Sequence, residues 1–106
     1  MLYLVQMQVQ LPDHMPPEES QAIKDRERQY AQRLQQEGCW RHLWRVVGQY
    51  ANVSVFDAPD HDTLHGWLSA LPLFPYMRIQ VTPLATHPSS IHTGVSPETA
   101  PGTTAN

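Results

Sequence analysis

The chain has 106 residues and a formal net charge of −3, with 41% hydrophobic and 16% charged residues. That is enough for one small globular domain and not two, and without a basic stripe it excludes a nucleic-acid backbone as the natural partner. The single cysteine, Cys39, rules out an intrachain disulfide and fits a reducing compartment.

The N-terminus MLYLVQMQVQLP lacks the charged region and long apolar run of a signal peptide. No stretch approaches the roughly 20 apolar residues of a membrane span. A soluble, cytoplasmic protein is expected.

Residues 2–11 alternate, with Tyr3, Val5, Met7, Val9 and Leu11 on one face and Gln6, Gln8 and Gln10 on the other, which predicts a strand ended by Pro12. Pro16 and Pro17 precede a helix predicted over 18–37. Glu18 and Glu19 suit its N-terminal dipole, and Gly38 suits its end. Residues 40–47 and 50–57 are rich in aromatic and β-branched side chains and predict two strands, joined by a two-residue turn at Gly48-Gln49. Asp60 is a good N-cap for a second helix over 61–71, with Leu64, Trp67, Leu68 and Leu71 as its apolar stripe. After the LPLFPY connection, Met77, Ile79 and Val81 alternate with Arg78 and Gln80 in a last strand.

The order βαββαβ is that of an α+β, ferredoxin-like sandwich: a four-stranded antiparallel sheet with two helices on one face. Two helices leave the other sheet face uncovered, so self-association to a homo-oligomer is expected. The domain is read as residues 1–92. From Thr93 to Asn106 the chain is small, polar and rich in Pro and Gly, which predicts a flexible tail.

Glu27 breaks the pattern of the first helix. At about 100° per residue it falls in one arc with Ile23, Tyr30 and Leu34, beside Ala31. Lys24, Asp25, Arg26, Arg28 and Arg33 lie to the sides or opposite. A carboxylate on such a stripe is either a desolvated proton carrier with a raised pKa or a helix-edge group that reaches water.

Other chemistry is weakly signalled. His61 and His65 have the i, i+4 spacing of a metal edge, but they lie off the apolar stripe beside Asp60 and Asp62 and read as a solvated face, so no metal is assigned. Cys39 with His42 nearby reads as a small packed residue rather than a nucleophile. On the third strand, Tyr50, Asn52, Ser54 and Phe56 share a face. Their polar groups can orient an oxygen-rich ligand, or they can face a wet interface. Arg41, His42, Arg45 and Arg78 are the candidate cations for an acidic ligand. The segment HPSSIH can cap a pocket or a neighbouring subunit, or form a simple C-terminal strap.

The segments GCWRHLWRVVGQYANVSVFD, LPLFPYM and HPSSIH resemble the muconolactone Δ-isomerase family, and the resemblance covers about residues 1–92. It implies a ferredoxin-like fold, a homodecamer and no cofactor. It also implies that the double bond of a lactone carboxylate, muconolactone, is shifted to give 3-oxoadipate enol-lactone in the bacterial catechol branch of the β-ketoadipate pathway. By the same resemblance Glu27 is the proton carrier and Tyr50 and Asn52 are substrate-binding, with Ser54 and His42 as further residues of the motif region. Two positions depart from the family pattern: Pro16 replaces an acidic helix cap, and Arg26 replaces an acidic neighbour of Glu27. Two other functions fit the same scaffold, a chloromuconolactone dehalogenase and a non-catalytic dimeric ferredoxin-like binding module.

Overall fold

The structure, a computed structural model, describes residues 1–91. The tail expected from Thr93 lies outside the described residues, as does the final histidine of HPSSIH. Strand β1 (Leu2–Val9) is followed by helix α1 (Pro17–Gln36), strands β2 (Trp40–Arg45) and β3 (Ala51–Asp57), helix α2 (His61–Ser69) and strand β4 (Met77–Leu84). A single turn of 3₁₀ helix, Phe74–Tyr76, leads into β4. The sheet order is β2-β3-β1-β4, and every neighbouring pair is antiparallel. Each helix therefore crosses over one intervening strand, which is the split βαβ arrangement expected from the element order.

Local chemistry explains the helix limits. Pro17 opens α1, where a missing N–H costs nothing. At its end Gly38 takes φ +85°, Gly38 N–H donates to Gln35 O, and Cys39 N–H donates to Leu34 O. That pair of bonds is a Schellman closure, which needs a left-handed residue at Gly38. Helix α2 starts as expected: Thr63 N–H donates to Asp60 Oδ1 at 2.7 Å, and the Thr63 side chain together with this N–H holds the Asp60 carboxyl below its ordinary value. It stops at Ser69, two residues before the expected end.

The β2–β3 connection differs from the two-residue turn at Gly48-Gln49. The strands end at Arg45 and resume at Ala51, and the turn is closed by Gln49 N–H donating to Val46 O at 3.1 Å. Gly48, at φ +80°, occupies its third position, where a type II turn requires a positive φ.

The core lies between the helices and one sheet face. Tyr3, Val5 and Met7 of β1 pack with Phe56 of β3, Ala31 and Leu34 of α1, and Leu64 and Leu68 of α2. On the opposite face Leu4, Val53 and Val55 are partly open and Trp44 is 55% exposed, and neither helix covers them.

Candidate active site

A cleft of about 650 Å³ opens between α1, the β2–β3 hairpin and the loop that carries Leu73. Glu27, Tyr50 and Asn52 all line it. Glu27 comes from α1 and the other two from the β2–β3 hairpin, and the packing of α1 over the sheet brings them together.

Glu27 keeps the phase expected from the helix. Ile23, Ala31 and Leu34 on the same stripe are buried, whereas Glu27 is half-buried at the cleft wall. Its Oε1 accepts a hydrogen bond from Leu73 N–H at 3.0 Å. Burial pushes its carboxyl above the ordinary value of 4.5, and the Leu73 N–H holds it partly back.

Asn52 sits on β3 opposite Arg45 of β2 and Met7 of β1. Ser54 does not line the cleft. It is 0% exposed and its hydroxyl donates to Asn52 Oδ1 at 2.8 Å. This bond occupies the amide oxygen of Asn52, and leaves the NH₂ group to serve the cleft. Tyr50 lies just before β3, anchored by Val9 N–H donating to its carbonyl at 3.0 Å. Burial pushes its phenol up, the Arg45 guanidinium pulls it down, and the Glu27 carboxylate pushes it up.

His42 is not at the cleft. A register shift between Trp40 and His42 interrupts the alternation of β2. Trp40 pairs with Phe56 in the core, while His42 pairs with Val55 and turns to the uncovered face, stacked on Trp44 at 5.0 Å between ring centroids. A one-residue bulge reverses the facing of the residues beyond it, so simple alternation misplaces this histidine.

Of the four candidate cations only Arg45 lines the cleft. Arg41 pairs with Asp57 at 3.0 Å, and Arg78, opposite Gln8, lies on the uncovered face. Lys24, absent from the candidates drawn from sequence, also lines the cleft. Its signal was its place three residues before Glu27, because i, i+3 residues are neighbours on a helix. The Leu73 N–H carried no such signal, being a backbone group in a loop. Trp40 borders the cleft as well, and its indole N–H is buried without a hydrogen-bond partner among the described residues.

Elsewhere, His61 accepts or donates a 2.7 Å hydrogen bond at Tyr3 OH, and no group of three metal-ligating side chains occurs among the described residues. No helix among them is long and apolar enough to cross a membrane.

The family model for muconolactone delta-isomerase matches residues 1–90. The chain belongs to the muconolactone delta-isomerase family. It is 64% identical over 91 residues to the muconolactone delta-isomerase of Cupriavidus pinatubonensis, covering 86% of this chain and 99% of that relative. It is 54% identical over 92 residues to that of Pseudomonas aeruginosa, covering 87% and 96%. The fold superposes on a crystal structure of muconolactone isomerase at 3.3 Å resolution with a TM-score of 0.83 and 56% identity, covering 87% of this chain and 96% of that one. The α+β, ferredoxin-like class expected from the element order is thus the observed one.

Proposed function

We propose that this protein isomerises muconolactone to 3-oxoadipate enol-lactone by moving one proton with the Glu27 carboxylate. Family membership supports the reaction class. The observation that carries the residue assignment is the half-buried Glu27 at the wall of a cleft that also holds Asn52 and Tyr50.

Moving the ring double bond requires a proton to leave one carbon and return to another. Glu27 accepts the proton from the first carbon, and the electron pair left behind spreads through the conjugated lactone onto its carbonyl oxygen. The Asn52 NH₂ group or the Tyr50 hydroxyl donates a hydrogen bond to that oxygen as its charge grows. Protonated Glu27 then returns the proton to the second carbon, and the carboxylate is regenerated. A carboxyl whose pKa is raised by burial is a better base for this task than an exposed one. Such a cycle calls on no metal or cofactor.

The reading extends to a cytoplasmic homo-oligomer, a decamer by analogy with the family, acting in the catechol branch of the β-ketoadipate pathway. The uncovered apolar sheet face around Val53, Val55 and Trp44 supports self-association.

The test is turnover of muconolactone, followed by ultraviolet absorbance and proton NMR. Isomerisation that disappears in a folded Glu27→Gln variant supports the proposal. No turnover by well-folded wild-type protein overturns it. A parallel assay for chloride released from a chlorinated muconolactone separates isomerase from dehalogenase.

A further inference from the structure

The seven Lys and Arg side chains differ in what they are doing. Arg28, Arg33 and Arg41 each pair with a carboxylate of this chain. Lys24, Arg26, Arg45 and Arg78 have no carboxylate within ion-pair distance among the described residues. Two of these four, Lys24 and Arg45, line the cleft that holds Glu27.

They also converge on one side chain. Lys24 Nζ lies 5.5 Å from the centre of the Tyr50 ring, and Arg45 Cζ lies 5.4 Å from the same centre. One cation comes from α1 and the other from the end of β2, so the fold itself brings them together. Two like charges gathered about one ring repel each other, and the ring's negative face offsets only part of that repulsion. An anionic group held beside Tyr50 is attracted by both cations. A carboxylate suits the pair, because the guanidinium offers a planar fork and the ammonium a compact charge.

We propose that Lys24 and Arg45, gathered on the Tyr50 ring, form the subsite for the free carboxylate of the substrate. This assignment rests on the lactone isomerase reading of the cleft. The lactone ring then lies toward Glu27 and Asn52, and the side-chain carboxylate lies at the Tyr50 end. Lys24 is on the same helix face as Glu27, three residues away, so one rigid element sets the spacing between the anchor and the base.

The test compares muconolactone with its methyl ester, which keeps the ring and loses the charge. The variants are Lys24→Met, Arg45→Met and the double variant, which keep apolar stems, with Lys24→Arg and Arg45→Lys as conservative controls. Each cation removed is expected to weaken kcat/KM for the acid about ten- to a hundredfold, mainly through KM. The ester should change little, so the preference for acid over ester collapses in the double variant. The conservative variants should retain part of that preference. Equal losses on acid and ester, or an acid preference that survives in the double variant, would overturn the assignment. Calorimetric titration with the acid and the ester keeps this separate from the proposed reaction. Tighter binding of the acid by wild type, lost in the double variant, supports the subsite even if wild type turns over neither compound. Equal binding of acid and ester by wild type would overturn it.

Discussion

The backbone N–H of Leu73 holds the carboxylate of Glu27, at 3.0 Å and across 46 positions of sequence. Leu73 belongs to the tight connection between α2 and β4, and its own side chain is buried against Val9 and Ile23. The proposed base is therefore oriented by a backbone group rather than by another side chain. The bond also opposes the effect of burial, which by itself would push the carboxyl higher still.

Glu27→Gln preserves the shape and the acceptor for Leu73 but removes the proton carrier. Turnover should fall about a hundred- to ten-thousandfold, the range of a positioned general base. In wild type, kcat/KM should rise with pH through an apparent pKa above the ordinary 4.5, because only the ionised carboxylate accepts a proton and burial has raised its value. A pH–rate profile of muconolactone turnover measures this. An acid limb at or below the ordinary carboxylate value would count against Glu27 as the base.

The same shift makes stability depend on pH. A folded chain that holds the Glu27 proton more tightly than the unfolded chain is favoured while that proton is bound. The contribution is complete below the ordinary value of 4.5 and is lost as pH rises through the raised native value. Glu27→Gln abolishes that loss. Urea unfolding below the ordinary carboxylate value and again near neutrality should therefore show the variant gaining stability relative to wild type at the higher pH. An unchanged difference at the two pH values would contradict the burial of this carboxyl.

Asn52 and Ser54 should act as a unit. Removing an oxyanion donor costs about 3 kcal/mol, roughly a hundredfold in kcat, so Asn52→Ala should lose that much. Ser54→Ala frees the Asn52 amide to rotate, and should lower kcat by a smaller factor with little change in KM. Once Asn52 is alanine, removing Ser54 should cost no further activity. A double-variant cycle on kcat measures the coupling. Additive losses would mean that Ser54 acts independently of Asn52.

The face opposite the cleft should be an interface between copies of this chain. Trp44→Glu places a charge beside Val53 on the uncovered sheet face, and burying an unpaired charge is strongly unfavourable. Light scattering should show wild type as an oligomer and the variant shifted toward the 12.1 kDa protomer. A monomeric wild type, or an oligomer indifferent to this change, would remove that face from consideration.

Periodicity alone made the fold legible. The alternation of Tyr3, Val5, Met7 and Val9 matches their burial in β1, and the stripe of Ile23, Ala31 and Leu34 matches the buried face of α1. Proline, glycine and aspartate marked the helix ends because their effects are local. The β2–β3 turn was less legible, since a glycine with positive φ fits several turn registers and the strand pairing selects among them.

The site was legible in part for the same reason. Glu27 stood out because a charge on an apolar stripe is a local contradiction. Its neighbours in space were harder to read. His42 shares a segment with Trp40 and Arg45, yet the bulge sends it to the other face. Lys24 looked like one more lateral charge until the hairpin placed Tyr50 and Arg45 beside it.

The amino-acid sequence by itself determined the element order, the sandwich class and the anomaly at Glu27, because propensity, capping and periodicity act over a few residues. Only the tertiary structure decided which face His42 takes, which cations gather on Tyr50, and that Leu73 N–H holds the carboxylate. Those outcomes depend on register and on loop placement between segments far apart in the chain. Burial, which sets the Glu27 pKa, exists only once those segments have packed together.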